Sequence, residues 1–446
     1  MNKLLTLTFI SLIPMQFLFA EKFEAENATL VGGAVKTELA GASEGYIVEM
    51  KDGHINFDVS LEDEGFYNVY IHASAPSGKK TNALYLNGGT IEFTLNQNDE
   101  YETLKLIGNL KLTEGEHDVR INNSWGYINI DYLWFEQTSA SERFDLNQSL
   151  VTPNPTENTQ KLYQFLLDNY NKKIISGSMT LNSMDEINWL NSKTGKKPAL
   201  IGLDFMHCGR GYTWYNDEAP VNDAKNYYNQ NGIPAFCWHW RDPSKNTEAF
   251  YTKDTDFDVS KISNENSPEY KAMINDIDYI SGLLKKLQDN NVPVLWRPLH
   301  EASGGWFWWG AKGAESCKTL YRLMYDRMVN HHGLKNLIWV WTSQQNDSDW
   351  YPGDDVVDIL GRDIYKEGDH SSQILEFAKL NDDVDGKKMV TLSECGSIPD
   401  PDELTADGAA WSYFMPWYGD FVRDSKHNSL DLWEKLFAHE YVITLD

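Results

Sequence analysis

The chain has 446 residues, enough for a small domain of about 120 residues beside a larger one of about 300. Its 66 acidic and 39 basic residues give a formal net charge of −27 at pH 7. This charge disfavours nucleic acids and anionic membranes as partners and favours a neutral polymer or a cation. Aromatic residues make up 13% of the chain, with 16 tryptophans, which indicates stacking surfaces in addition to core.

The first 20 residues are typical of a secretory signal peptide. Lys3 supplies the positive start, Leu4–Phe19 is apolar, and Leu18-Phe19-Ala20 loosely follows the small-x-small cleavage pattern. The apolar run is too short and too early in the chain for a membrane span. We therefore expect a secreted, extracellular protein without a membrane partner.

Residues 21–137 show short alternating apolar and polar runs separated by Gly, Asn and Glu-Gly turn signals, without long runs of helical period. This pattern predicts a small all-β sandwich, or jelly roll. Predicted strands are Phe66–Ala73, Ala83–Leu86, Ile91–Leu95, Leu104–Leu110, His117–Ile121 and Ile128–Phe135. The polar stretch that follows contains two prolines and predicts a linker over residues 138–153.

From residue 154 to residue 446, apolar strands alternate with helical stretches, which predicts a parallel sheet. Predicted strands are Ile174–Met179, Pro198–Phe205, Ile233–Trp240, Val292–His300, Asn336–Thr342, Asp358–Tyr365, Lys388–Cys395 and Trp411–Trp417. Predicted helices are Asn222–Asn231, Ser267–Asn291, Ala314–His332 and Ser371–Asp383. Eight such units predict an α/β fold, a (β/α)₈ TIM barrel, with its active site at the carboxyl ends of the strands.

Polar and aromatic residues cluster at those strand ends. They are Asp204, His207, His239, His300, Glu301, Asp363, Tyr365, Glu394 and Trp417. Glu301 lies within WRPLHEASGGWFWWG (residues 296–310), where four tryptophans surround one carboxylate. Aromatic rings stack on the apolar faces of sugars, and apolar surroundings raise the pKa of a carboxyl group towards that of a general acid. Glu394 ends a second apolar run 93 residues later (394 minus 301), so the two residues predict a glycosidase pair.

The pattern WRPLHEASGGWFWWG, followed by GRDIY and LSECG, resembles glycoside hydrolase family 26 over residues 150–446. The resemblance implies a retaining hydrolase, in most relatives an internal β-1,4-mannanase, that needs no catalytic cofactor. By position, Glu301 matches the acid/base and Glu394 the nucleophile. The substrate-binding residues that it implies are His239, His300, Trp306, Tyr365 and Trp417, with Phe307 and Trp308 behind or beside the platforms.

Other functions remain open on the same scaffold. A β-glucanase, a β-1,3-xylanase or an exo-acting mannobiohydrolase would share these residues, and a non-catalytic carbohydrate-binding protein is a further alternative. The sequence does not separate manno- from gluco-configured substrates or endo from exo action. Trp411 is an alternative to Trp417 as the stacking residue.

Two segments of the small domain, FEAENATL (23–30) and NSWGYINIDYLWF (123–135), resemble a carbohydrate-binding module of family 35 or the related family 6. The resemblance implies a structural calcium ion held by Glu24, Glu26 and Asp131. Hard carboxylate oxygens meeting where the first and last strands pair independently favour calcium. The sugar ligand of the module would contact Tyr46, Trp125 and Asn129.

The four cysteines all lie in the larger region and lack the spacing of a metal site. They are Cys208, Cys237, Cys317 and Cys395. Export permits disulfides, and four cysteines allow three pairings, but buried free thiols are an equal alternative. We expect a monomer that acts on a β-mannan polysaccharide.

Overall fold

The computed structural model describes residues 20–140, 143–181 and 184–445. The predicted signal peptide, apart from Ala20, lies outside the described residues. The described chain folds into an N-terminal β-sandwich and a C-terminal closed barrel, so the predicted fold class is confirmed. None of the described helices is long and apolar enough to cross a membrane.

Within residues 20–140 the chain forms eleven strands: β1 (Ala20–Glu24), β2 (Thr29–Val31), β3 (Ala34–Glu38), β4 (Tyr46–Met50), β5 (His54–Leu61), β6 (Gly65–Ala75), β7 (Lys80–Leu86), β8 (Gly89–Leu95), β9 (Asn98–Leu112), β10 (Gly115–Trp125) and β11 (Ile128–Thr138). One sheet has the order β3-β4-β11-β6-β9, with β1 also paired to β11. The other has the order β2-β5-β10-β7-β8. In β5, Ile55, Phe57, Val59 and Leu61 are buried in alternation with more exposed neighbours, as a strand with one buried face requires.

The barrel region contains the strands β12 (Ile174–Met179), β13 (Lys197–Pro198), β14 (Leu200–Asp204), β15 (Ile233–Cys237), β16 (Val294–Arg297), β17 (Leu337–Thr342), β18 (Ile359–Ile364), β19 (Met389–Cys395), β20 (Tyr413–Pro416) and β21 (Val442–Leu445). Strand β12 and strands β14 to β20 pair in parallel, and the β12–β20 pairing closes the barrel. Strands β13 and β21 pair with each other at the rim, and β21 also pairs with β12.

The helices are α1 (Glu157–Asn169), α2 (Asp185–Thr194), α3 (Ala219–Tyr228), α4 (Pro268–Asp289), α5 (Ala314–Asp326), α6 (Ile374–Asp382), α7 (Pro401–Asp407), α8 (Asp420–Arg423) and α9 (Leu430–Ala438). Helix α4 begins where the sequence predicts, because the Ser267 side chain accepts a hydrogen bond from the Tyr270 amide and Pro268 occupies the first turn. Helix α5 is shorter than predicted, because Arg327–His331 form a π-helical turn.

Strand β16 is much shorter than the predicted strand Val292–His300. After Arg297 the chain turns away from the barrel wall, and Leu299 and Glu301 have φ angles of +52° and +54°. These left-handed conformations are incompatible with a strand. The turn places Glu301 above the barrel mouth instead of in its wall.

The segment between the domains packs along the barrel. The Asp145 amide donates to the Gly386 carbonyl at 3.0 Å, and the Val151 amide donates to Asp358 Oδ1 at 2.8 Å. The buried Arg143 guanidinium lies 5.1 Å from the ring centroid of Phe66 in the sandwich. These contacts hold the predicted linker against both domains.

Candidate active site

Three carboxylates meet at the carboxyl ends of strands β16, β18 and β19. One oxygen each of Glu301, Asp363 and Glu394 lies within 4.8 Å of the other two. Such proximity of like charges requires either a counter-charge or a proton on one of the groups. The structure provides for both.

The counter-charge is Arg297, the last residue of β16. Its buried guanidinium donates to Asp363 Oδ2 at 2.8 Å and to Thr342 Oγ1 at 3.1 Å, and it also donates to Glu394 Oε2. This role of Arg297 was not predicted from the sequence. The signal in the sequence is an arginine at the end of an apolar strand, only four residues before Glu301. A buried cation is rare unless it is paired, so this position indicates a nearby carboxylate partner.

Glu394 is buried near the end of β19 and accepts two charge-stabilising hydrogen bonds. One comes from Arg297 and the other from the Tyr365 hydroxyl. The pKa of Glu394 is raised overall, because burial and the nearby charge of Asp363 outweigh the Arg297 charge and the Tyr365 hydrogen bond, which lower it. Its fixed oxygens suit a carboxylate that reacts in the ionised form.

Glu301 has a different environment. Its carboxylate accepts a hydrogen bond from the Trp306 indole at 3.1 Å and has no direct bond to Arg297. Burial, followed by the nearby charges of Asp363 and Glu394, raises the pKa of Glu301 to about 8. Glu301 is therefore the carboxyl group that carries a proton at neutral pH.

Two histidines extend the site on the side of strand β15. His239 Nδ1 lies 2.6 Å from Asp204 Oδ2, and the two Nε2 atoms of His239 and His300 are 3.3 Å apart. Burial, together with the positive charge of Arg297, lowers the pKa of His300 well below its usual value. Asp204 orients His239, so the sequence-predicted histidines and this aspartate form one connected group.

The predicted stacking residues differ in their access to the cleft. Trp306 is 43% exposed and Tyr365 is 45% exposed, while Trp417 is half-buried with its ring 5.3 Å from that of His239. Trp308 and Trp411 are fully buried, and their indoles donate to the Trp240 and Ser372 carbonyls respectively. Trp411 is therefore part of the core, which leaves Trp417 as the accessible member of that pair. Phe307 is buried and stacks on Trp309.

A further aromatic cluster follows strand β14. His207 lies among Tyr212, Trp214 and Tyr215, and Trp214 stacks on Tyr212 with centroids 5.0 Å apart. Trp214 is 68% exposed, and the sequence analysis did not identify it. The aromatic-rich segment GYTWY, which follows a barrel strand, is the sequence feature that indicates it.

The three residues predicted to bind sugar in the module do not all come together. Trp125 ends β10 and is 77% exposed, and Asn129 lies near the start of the next strand, β11. Asn129 pairs with Glu49 near one end of β4, whereas Tyr46 begins that strand at its other end. The intervening residues span about 10 Å at 3.3 Å per residue. Tyr46 instead lies under the Lys36 ammonium, 4.0 Å from its ring centroid.

The three residues predicted to bind calcium share one buried region. Ser43 Oγ donates to Glu24 Oε1 at 2.7 Å, and the Ser43 amide donates to Asp131 Oδ1 at 3.1 Å. Both carboxylate oxygens of Glu26 and Glu24 Oε2 are buried without a hydrogen-bond partner among the described residues. Burial, followed by nearby charges such as that of Glu24, raises the pKa of Glu26. Unsatisfied buried carboxylate oxygens are a donor set that fits a hard cation such as calcium.

All four cysteines are buried free thiols in the described structure. Burial raises the pKa of Cys237 and Cys395 well above the usual value, so both are protonated and unreactive at neutral pH. Of the two alternatives that the sequence left open, the structure has the free thiols.

Comparison with known proteins identifies the families of both domains. Residues 151–446 match the profile of glycosyl hydrolase family 26, and residues 21–138 match carbohydrate binding module family 35. A mannan endo-1,4-beta-mannosidase of Thermothelomyces thermophilus is 37% identical, covering 96% of this chain and 90% of the relative.

Solved structures agree with that comparison. A Podospora anserina β-(1,4)-mannanase with the same two domain families is 35% identical, with a TM-score of 0.65, covering 96% of this chain and 98% of the other. A β-mannanase from a symbiotic protist of the termite Reticulitermes speratus, solved with gluco-manno-oligosaccharide, is 45% identical, with a TM-score of 0.66, covering 68% and 98%.

The barrel and its paired carboxylates define the class of protein, a glycoside hydrolase. The chain belongs to glycosyl hydrolase family 26 and carries an N-terminal carbohydrate-binding module of family 35. The family resemblance predicted from the sequence is confirmed.

Proposed function

We propose that this enzyme hydrolyses internal β-1,4-mannosidic bonds in mannan, glucomannan and galactomannan, with retention of configuration. The observation that carries the proposal is the pair Glu301 and Glu394, with oxygens within 4.8 Å. Retaining glycosidases hold their two carboxyl groups about 5 Å apart, whereas inverting enzymes leave room for a water molecule between them. The substrate follows from relatives that are named mannan endo-1,4-beta-mannosidases.

In the first step, a Glu394 oxygen attacks the anomeric carbon while the glycosidic bond breaks. Glu301 gives its proton to the departing sugar oxygen, and a covalent glycosyl-enzyme forms. In the second step, Glu301 takes a proton from water, whose oxygen attacks the same carbon and releases Glu394. Two inversions at one carbon give net retention.

The neighbouring residues support this division of roles. Arg297 and Tyr365 hold the Glu394 oxygens and stabilise the carboxylate when it is released in the second step. His239 and His300 are proposed to bind sugar hydroxyls, and Trp306 and Trp417 to stack on sugar rings on either side of the cleaved bond. The hydrogen bonds among Asp204, His239 and His300 hold the two histidine rings in place before the substrate binds.

The pH profile follows from the Glu301 proton. We expect kcat/KM to fall as the pH rises through about 8, because Glu301 then loses the proton that it must donate. Trp306→Phe removes a hydrogen bond that favours the charged form, so the pKa of Glu301 should rise and the alkaline limb should move to higher pH. Initial rates on soluble oligosaccharides from pH 4 to pH 10 measure the alkaline limb of the parent enzyme and of the variant. An alkaline limb near the ordinary glutamate pKa in the parent enzyme would contradict this assignment.

The function is tested by incubating the purified protein with galactomannan, glucomannan, mixed-linkage β-glucan and β-1,3-xylan and sizing the soluble products over time. A ladder of manno-oligosaccharides from the mannans alone is the expected result. Mannobiose as the sole early product would indicate exo action. Products from glucan or xylan alone would overturn the substrate assignment.

We also propose that Glu24, Glu26 and Asp131 bind a structural calcium ion, which supplies positive charge in addition to that of Lys22 beside Glu24 and gives the unpartnered oxygens of Glu24 and Glu26 a ligand role. A chelator should then lower the melting temperature of the module and leave hydrolysis of soluble oligosaccharides intact, because the barrel site uses only protein groups. Saturating calcium at about 100 times its Kd would add roughly 2.7 kcal/mol of stability. Calorimetry with and without calcium measures this, with Asp131→Asn as the variant that should lose the response. An unchanged melting profile would contradict the site.

The proposal extends to location and domain division. The predicted signal peptide supports secretion. We further propose a monomer with the module at residues 21–137 and the catalytic domain at residues 154–446. Exposed Trp125, with Asn129 nearby in the chain, is the proposed sugar contact of the module. Attachment to an insoluble polymer would raise the local concentration of the catalytic domain.

A further inference from the structure

A cleft of about 570 Å³ opens beside the catalytic carboxylates. Trp306, Asp363 and Tyr365 line it on the catalytic side, and residues 344–347, in the loop after β17, line another part. The sandwich domain contributes Glu92 of β8 to the same cleft. The wall of the cleft is therefore built by both domains.

Glu92 is fixed at this position by contacts with each domain. Asn346 Nδ2 of the barrel donates to Glu92 Oε2 at 2.7 Å, and the Glu92 amide donates to Gln345 Oε1 at 3.0 Å. Ser124 Oγ of the sandwich lies 3.4 Å from Glu92 Oε1. Ser124 directly precedes Trp125 in the chain. The exposed Trp125 indole of the module is therefore adjacent in sequence to a residue that contacts Glu92 at the cleft.

The cleft is also lined by a buried ion pair. Arg362 lines it, is only 2% exposed, and none of its three guanidinium nitrogens has a hydrogen-bond partner among the described residues. Its Nε faces Glu376 Oε2 at 3.4 Å, and that oxygen likewise lacks a hydrogen-bond partner in the described chain. Because these atoms have almost no exposed surface, the ion pair fixes the wall of the cleft and leaves sugar contact to the more exposed residues of the lining.

The position of Trp306 indicates which portion of the polysaccharide the cleft binds. Its indole donates to Glu301, the group that protonates the departing sugar oxygen, so Trp306 lies beside the leaving-group sugar. The cleft lining includes Trp306 but neither His239 nor Trp417. The cleft therefore continues along the portion of the polysaccharide that leaves first.

We propose that Glu92 and Trp350, on a wall supported by the Arg362–Glu376 ion pair, form a distal sugar-binding position for the leaving-group portion of the chain. The module then takes part directly in substrate recognition at the catalytic cleft, in addition to any binding at a distance. Trp350 lines the same cleft and is partly exposed, so an aromatic side chain is available for stacking on a sugar ring. This inference deepens the proposed function and depends on it for the identity of the sugar.

The test uses the full-length enzyme and β-1,4-manno-oligosaccharides of three to six units. Glu92→Ala should lower kcat/KM about tenfold on the longest oligosaccharide, which reaches the distal position, and leave the trisaccharide within about twofold. The cleavage pattern of the hexasaccharide should shift at the same time. Glu116→Ala removes an exposed carboxylate elsewhere on the sandwich and should match the parent at every length.

Glu92→Gln separates binding from docking, because its amide oxygen can still accept from Asn346. An equal loss on every length with a lower melting temperature, repaired by Glu92→Gln, would mean that Glu92 only docks the domains and would overturn the inference. Equal rates of Glu92→Ala and the parent at all lengths would also overturn it. If the parent cleaves only oligosaccharides of another sugar, the proposed substrate is wrong, and the same length comparison on that ladder decides this inference separately.

Discussion

Glu394→Ala is expected to lower kcat on mannan at least roughly 10⁴-fold, because the glycosyl-enzyme can no longer form. Glu301→Ala should cost about 10²- to 10⁴-fold, the usual contribution of a general acid, and less on a substrate whose leaving group needs no proton. Glu434→Ala, on the exposed face of α9, is the matched control and should behave as the parent enzyme. Melting temperatures check that each variant is folded.

Added azide distinguishes the two roles. In Glu394→Ala, azide attacks an activated β-mannoside directly from the vacated side and should give the α-azide, because one inversion occurs. In Glu301→Ala, the glycosyl-enzyme still forms, and azide should replace it to give the β-azide. The same anomer from both variants, or full activity of either variant on mannan, would contradict the assignment.

Arg297→Met is expected to have the second-largest effect, on stability as well as catalysis. It leaves Asp363 and Glu394 buried without their shared counter-charge, which should lower the free energy of unfolding by about 3–5 kcal/mol. Loss of the Arg297 charge also raises the pKa of Glu394. The acidic limb of the pH profile should therefore move to higher pH, because the nucleophile must be deprotonated.

Arg297→Lys retains the positive charge but not the planar guanidinium group. It should recover part of the stability lost in Arg297→Met and return the acidic limb most of the way to its pH in the parent enzyme. Denaturant unfolding and the pH dependence of kcat/KM on soluble oligosaccharides measure the two effects separately. An Arg297→Met enzyme with the parent's stability and acidic limb would show that Arg297 does not control Glu394.

The barrel was predictable because buried parallel strands and amphipathic helices leave strong periodic signals. Glu301 and Glu394 were identifiable because each follows an apolar run within a motif. The turn at Leu299 and Glu301 was not, since the apolar run gives no sign of left-handed backbone. The strands before Phe66 were missed as well, because β1 to β4 have at most five residues each, although β5 carries a readable alternation of apolar residues.

Contacts across long sequence separations account for the rest. Arg297 acquires its role only when the closed barrel brings its side chain on β16 into contact with Asp363 of β18 and Glu394 of β19, on the far side of the intervening β17. Glu92 and Asn346 are 254 residues apart and meet only because the sandwich docks beside α6. Tyr46 and Asn129 were predicted from the sequence to share one sugar site, but the register places Tyr46 about 10 Å along β4 from the residue that pairs with Asn129.

The most direct test of the account is the anomeric configuration of the first product released from mannohexaose, followed by proton NMR. We predict that the β-anomer appears first and that the α-anomer grows in later by mutarotation, because two displacements occur at Glu394. Initial release of the α-anomer would contradict the retaining pair, and no release from mannohexaose would contradict the mannan substrate.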